Sequence, residues 1–297
     1  MWAILLILVL VVVGQIIGVS IAFVHVITKP HKITVEESIQ KEKEAGFWGD
    51  YDMYPKKEWN IKGHGKYILH GELWTNSENR FVIVTHGYTD SRYTSLKYAH
   101  LFYKLGYQVY IYDMRFHGQN KGGYCSMGYY ESQDIISIAE EIRKCYGADC
   151  QIGLHGVSLG ATSSLMALGK SQNFSFVIED CGFSDFKELM KQQAKSRFHL
   201  PSFFAQLVIW MNMLMHGYSF AAIKLKNILL DNQVPILFIH GLKDDFIPVS
   251  MCEDMYQITT AEKNMVLFPD GKHADSYCSN PALYEASVEA FINKYGK

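Results

Sequence analysis

Gly156-Val157-Ser158-Leu159-Gly160 reads G-x-S-x-G. A serine hydroxyl is a poor nucleophile until a base takes its proton. The pentapeptide therefore matters only if a histidine, and a carboxylate to orient it, are supplied elsewhere. Its setting is informative. It follows the short apolar run 151–155 and opens the helical run 161–168, so it marks a sharp strand-to-helix turn. Flanking glycines remove the Cβ atoms that would collide there, and Ser158 stands at the apex. The free N–H groups of the new helix favour negative charge developing beside it.

The base should be a histidine later in the chain, with the acid between the two. His240-Gly241-Leu242-Lys243-Asp244-Asp245-Phe246-Ile247-Pro248 follows an apolar run at 235–239, and Pro269-Asp270-Gly271-Lys272-His273 follows another at 265–268. Ser158, an aspartate at 244 or 245, and His273 thus appear in the required order. All three fall at the C-terminal ends of expected parallel strands, where open α/β sheets place their sites.

The elements that must hold these residues alternate. Expected strands lie at 67–74, 81–85, 107–112, 151–154, 176–179, 235–239 and 265–268, with a turn at 76–79 after the first. Expected helices lie at about 91–105, 131–145 and 281–294. The pattern implies a mostly parallel sheet covered by helices on both faces. Residues 185–232 break the rhythm, being helical in period and far longer than a simple crossover needs. This stretch is either extra core or an inserted cap. As a cap, Phe204, Trp210, Met211 and Met215 would line an apolar substrate pocket, since Met-rich surfaces adapt to varied ligands. Lys187, Lys191 and Lys195 form a basic stripe, which is either a solvated face or a contact for anionic headgroups.

Residues 1–28 carry no Lys, Arg, Asp or Glu, and 2–26 are dominated by Ile, Leu and Val. That is long enough to cross about 30 Å of hydrocarbon. The leading reading is an uncleaved transmembrane anchor contacting membrane lipid. A cleaved signal peptide, with Ser20-Ile21-Ala22 as a small-x-small site, and a buried core helix compete with it. Lysines follow the span and none precedes it, which puts the C-terminal side in the cytoplasm. The division expected is an anchor at 1–28, a linker and surface strap at 29–60, and the main domain at 61–297.

Composition narrows the function. Of 297 residues, 48% are apolar and 20% charged, and the net charge of −2 gives no support for nucleic-acid binding. The six cysteines form no CxxC pair, so they read as free thiols rather than a disulfide framework or a zinc ribbon. No phosphate loop, metal cluster or dinucleotide fingerprint occurs, and no cofactor is expected.

On these residues, about 65–295 resembles an α/β-hydrolase. It is most similar to bacterial membrane-associated hydrolases with a serine-aminopeptidase-like (S33-type) domain, akin to cinnamoyl and carboxyl esterases. In that family the acid lies three residues after the glycine of a His-Gly turn and precedes x-x-[IV]-P, which selects Asp244. The resemblance implies an oxyanion hole from the backbone N–H groups of Leu159 and of Tyr88, the residue after His86-Gly87. Asp113-Met114-Arg115-Phe116-His117-Gly118 resembles the family's D-x-R-G-H-G, with Phe116 in place of a glycine, and suggests Asp113 and Arg115 as a structural pair. The expected activity is cleavage of a small-molecule ester or thioester by a membrane-anchored serine hydrolase. A peptidase acting on short peptides, or a non-catalytic binding protein on the same scaffold, are the alternatives.

Overall fold

The structure, a computed structural model, describes residues 1–76 and 79–296. The expected turn at 76–79 falls partly on Ser77 and Glu78, outside the described residues. The chain divides into two compact units, one of residues 1–31 with 185–224, the other of 32–184 with 225–297.

In the larger unit, eight strands form one sheet: β1 (Lys56–Glu58), β2 (Gly71–Trp74), β3 (Arg80–Thr85), β4 (Gln108–Tyr112), β5 (Gln151–Val157), β6 (Phe176–Asp180), β7 (Ile236–Gly241) and β8 (Lys263–Phe268). Their order is β1-β2-β4-β3-β5-β6-β7-β8. The β1–β2 and β2–β4 pairs are antiparallel, and β4-β3-β5-β6-β7-β8 runs parallel. Strands β2 to β7 are buried almost throughout, as expected of strands covered on both faces. The register sets Thr85 beside Gly156, Val157 beside Asp180 and Phe268 beside Gly241. The loops after β3, β5, β7 and β8 therefore leave from one edge of the sheet. The single strand expected at 67–74 is two. Ile68–Leu69 pairs with Ile61–Lys62 in a separate small sheet, and Gly71–Trp74 joins the main one.

The helices are α1 (Trp2–Thr28), α2 (Val35–Glu44), α3 (Leu96–Lys104), α4 (Glu131–Tyr146), α5 (Leu159–Leu168), α6 (Phe186–Ser196), α7 (Phe203–His216), α8 (Lys226–Leu230), α9 (Val249–Ile258), α10 (Ser276–Ser279) and α11 (Pro281–Tyr295). Helix α2 lies where a linker and strap was expected. Thr34 accepts from the Glu37 N–H while the Glu37 carboxylate accepts from the Thr34 N–H, a capping box that starts the helix. Val35, Ile39, Phe47 and Trp48 then pack on the sheet unit's core.

In the smaller unit, α1 packs against α7. Ser20, Phe23, Val24, Ile27 and Thr28 are the α1 residues withdrawn from solvent in this stretch. Their i, i+3, i+4, i+7, i+8 spacing makes one helical stripe. The Phe23 ring meets Phe204 of α7 edge-on at 5.1 Å and Phe198 at 5.2 Å. Residues 2–19 of α1 are exposed.

Candidate active site

The turn between β5 and α5 is tight enough to dictate its residues. Ser158 has φ 54° and ψ −114°, left-handed backbone that a non-glycine residue holds only when its surroundings enforce it. A Cβ on Gly156 would stand 2.3 Å from the Gly160 backbone, and one on Gly160 would stand 2.3 Å from the Thr85 carbonyl oxygen. Both positions must therefore be glycine. The Ser158 N–H donates to the Asp180 carbonyl at 2.8 Å, and the Ser158 carbonyl accepts from the Thr162 N–H at 3.0 Å. These bonds fix the apex from both sides.

The three residues singled out in the sequence come together. Ser158 Oγ lies 2.9 Å from His273 Nε2, and His273 Nδ1 lies 2.7 Å from Asp244 Oδ2. The Asp244 side chain is fully buried, whereas that of His273 is 24% exposed, enough to admit a reacting group. Asp244 Oδ1 accepts the N–H groups of Phe246 and Ile247 at 2.9 and 2.8 Å. Burial works against the Asp244 carboxylate, but its bonds with His240 and His273 outweigh that and hold its pKa well below the usual range. Asp245 is exposed. A carboxylate held ionised fixes the imidazole proton on Nδ1, leaving Nε2 to accept the serine proton. The Phe246 ring lies 5.1 Å from the imidazole.

Leu159 is the first residue of α5. The turn carrying Tyr88 also reaches the serine, because a Cβ on Gly87 would stand 3.9 Å from Ser158 Cβ. His86 has another task. Its Nε2 accepts from the Met114 N–H at 3.0 Å, so Nδ1 carries the proton and donates to the Gly87 carbonyl at 2.7 Å. Burial lowers its pKa to about 4, so this neutral ring pins the turn.

Three features escaped the sequence reading. His240 is buried behind the acid, with Nε2 2.9 Å from the Ile247 carbonyl and 3.3 Å from Asp244 Oδ2. Burial lowers its pKa, but Asp244 and Glu179 raise it by more. Ser276 Oγ donates to Asp180 Oδ1 at 2.9 Å, tying α10 to the end of β6. A cavity of about 310 Å³ opens beside His273, lined among others by Glu42, Asp90, Lys97, His86 and Val157. Burial pushes the Glu42 pKa up to about 7, against the pull of Lys97 and Lys41, and raises that of Asp90. The Thr34–Glu37 capping box was the available signal for the helix that delivers Glu42.

Cys181, Asp244 and His273 place potential ligand atoms within 4.8 Å of one another. They suit a metal poorly. Burial drives the Cys181 thiol pKa far up, so it stays protonated, and the Asp244 oxygens are already engaged.

Asp113 and Arg115 are not a pair. Asp113 Oδ2 takes the Arg92 guanidinium at 2.5 Å and Oδ1 takes the Arg92 N–H at 2.8 Å. Arg115 instead pairs with Asp134 on α4. The positive φ of Phe116 and Gly118 coils the loop after β4 so that Asp113 and Arg115 serve different elements. Phe204, Trp210, Met211 and Met215 all lie on α7 in the smaller unit. Phe204 is buried, Met211 half-buried, and Trp210 and Met215 exposed.

An eight-stranded, mostly parallel sheet with a serine elbow after β5, and an aspartate and a histidine after β7 and β8, defines the α/β-hydrolase fold and a serine hydrolase. The sequence pattern of the prolyl oligopeptidase family (Peptidase_S9) matches residues 115–297. The chain belongs to that family. It is 31% identical over 287 residues to the uncharacterized protein YqkD of Bacillus subtilis, covering 95% of this chain and 94% of that one. It is 24% identical over 190 residues to the uncharacterized protein YfhR of Escherichia coli, covering 63% and 60%. The esterase Pf2001 of Pyrococcus furiosus superposes with a TM-score of 0.69 at 21% identity, over 84% of this chain and 94% of that one. The acylaminoacyl peptidase of Pyrococcus horikoshii gives 0.63 at 16% identity, over 82% and 42%. At these identities the two structures share the fold.

Proposed function

We infer that the protein cleaves an ester or thioester through an acyl-enzyme, with Ser158 as nucleophile, His273 as base and then acid, and Asp244 as the residue that orients the imidazole. The hydrogen-bonded chain from Ser158 Oγ through His273 to Asp244 Oδ2 carries this reading. His273 Nε2 takes the serine proton as Oγ attacks the carbonyl carbon, then delivers it to the leaving group. Water repeats the sequence to release the acid. The N–H groups of Leu159 and Tyr88 receive the oxyanion, aided by the N-terminus of α5. Helix α1, with its uncharged exposed surface, anchors the enzyme in a membrane.

Cleavage of a short peptide is the second reading. Family membership favours it, as do Glu42 and Asp90 in the cavity beside His273, where a substrate amine would find carboxylates. One experiment covers both readings. Fluorophosphonate labelling of the chain and of Ser158→Ala tests the nucleophile, and p-nitrophenyl esters of graded chain length set against aminoacyl amides test the substrate. Labelling that survives Ser158→Ala would overturn the assignment. Faster cleavage of the amides would replace the ester reading with the peptidase one.

A further inference from the structure

We propose that the outward face of α7 is a lipid-contacting surface, seated at the boundary of acyl chains and headgroups beside the point where α1 leaves the bilayer. The proposal rests on reading α1 as a membrane span. Helix α7 carries no charged side chain from Phe203 to Met215. One face is used up against α1 within their shared unit, where Phe204 meets Phe23. The opposite face is apolar too. Phe203, Leu207, Trp210 and Leu214 recur at i, i+4, i+7 and i+11, a single stripe along the helix. Phe203 is 61%, Trp210 60% and Leu214 79% exposed. After α1, eleven large apolar residues stand exposed among the described residues, and six of them lie between Phe198 and Met215. A concentration of this kind marks a surface that something apolar covers.

Continuity with α1 identifies the cover. At 1.5 Å per residue the 27 residues of α1 extend about 40 Å, against about 30 Å of hydrocarbon. Residues 2–19 alone extend about 27 Å, so the stretch from Ser20 to Thr28 that packs on α7 lies at the border of the apolar layer. Helix α7, at 14 residues, is about 21 Å long and too short to cross. Burial, and after it the charges of Lys29 and His25, hold the pKa of its C-terminal His216 below the ordinary histidine value. That end therefore sits at the level where α1 meets its first lysine. A short apolar helix held there lies along the boundary with its outer stripe among the acyl chains, and a tryptophan in the stripe suits that depth.

The test uses the full chain in phosphatidylcholine nanodiscs. Cys145 and Cys278, the two exposed thiols, are replaced by serine. An environment-sensitive NBD label is then placed through Leu214→Cys, through Leu8→Cys in α1, or on Cys145 retained alone as the sheet-unit control. Doxyl groups at acyl carbon 5 or 12 quench from within the bilayer, and iodide quenches from water. The expected result is at least twofold more doxyl quenching at position 214 than at 145, stronger from carbon 5 than from carbon 12. Doxyl quenching at position 8 with none at 214 beyond the 145 control would overturn the proposal. Shielding of position 214 from both doxyl and iodide would do so in favour of a protein cover, such as a second copy. Absence of quenching at position 8, or loss of residues 1–28 by mass, would instead defeat the anchor reading, and the proposal with it.

Discussion

Replacing Asp244 by asparagine should disable the enzyme by reversing one hydrogen bond, and the structure dictates which way the new amide turns. Asp244 Oδ1 accepts two backbone N–H groups, from Phe246 and Ile247. An amide NH₂ cannot accept them, so the asparagine oxygen must stay at Oδ1 and its nitrogen must take the Oδ2 position, 2.7 Å from His273 Nδ1. Facing a donor, Nδ1 becomes the acceptor and the proton moves to Nε2, the atom 2.9 Å from Ser158 Oγ. The base is then blocked by its own proton, and the imidazolium of the transition state loses its counter-charge. A carboxylate-to-amide change of this kind costs about 10⁴-fold in kcat, or about 5 kcal/mol. Lost charge-assisted bonds should lower stability by about 1–3 kcal/mol. The assay is the rate of fluorophosphonate labelling together with kcat on a short p-nitrophenyl ester, with thermal unfolding as the check on folding. Asp245→Asn, at an exposed position, should change either rate by less than threefold. If Asp244→Asn keeps more than a tenth of wild-type activity while folded, or Asp245→Asn is the more damaging change, the reasoning is wrong.

Gly160→Ala should cost about 3 kcal/mol or more, or prevent soluble expression, because its Cβ would meet the Thr85 carbonyl at 2.3 Å; chemical denaturation measures this, and a neutral substitution would mean the elbow is looser than described. Stability should fall as pH rises from 5.5 to 8.5. Burial raises the Glu179 pKa from 4.5 to about 8, so in this window the folded chain keeps a proton that the unfolded chain has lost. Glu42 and Asp134, both raised to about 7, act in the same direction; the buried His86, His117 and His155, lowered to about 4, 3 and 3, oppose it below about pH 7 and fall silent above, while Asp244 is ionised in both states throughout. Glu179→Gln should remove up to about 4 kcal/mol of the pH dependence; a melting temperature equally pH-dependent in the variant would refute it. Deleting residues 1–28 uncovers Phe204, whereas deleting only 1–17 leaves the stripe from Ser20 to Thr28 in place. The longer deletion should therefore melt lower or aggregate, by about 2–3 kcal/mol for the apolar surface uncovered. Equal behaviour in light scattering and unfolding would contradict the α1–α7 packing.

Local chemistry was readable in the sequence. A glycine-flanked serine between an apolar run and a helical one can form only a sharp turn, and apolar runs without period 2 mark buried parallel strands. The order of Ser158, an aspartate at 244 or 245, and His273 along the chain, each at a strand end, then followed from the alternation of elements, and the family resemblance singled out Asp244. The charge-free run at the N-terminus fixed the character of α1 for the same reason: both signals lie within a few consecutive residues. What required the tertiary structure is every choice of partner between distant residues. Arg92, more than twenty residues before Asp113 in the chain, takes that carboxylate, and Arg115 is left to Asp134. His240 reaches the acid from behind because the loop after β7 turns back on it, and Glu42 reaches the cavity beside His273 only because α2 packs on the sheet unit's core. The apolar period of residues 203–215 announced a helix with surface to cover. That one face would meet α1 while Phe203, Trp210 and Leu214 stayed bare could not be read from the period, since hydrophobicity records that a face avoids water and carries no information about which distant surface relieves it.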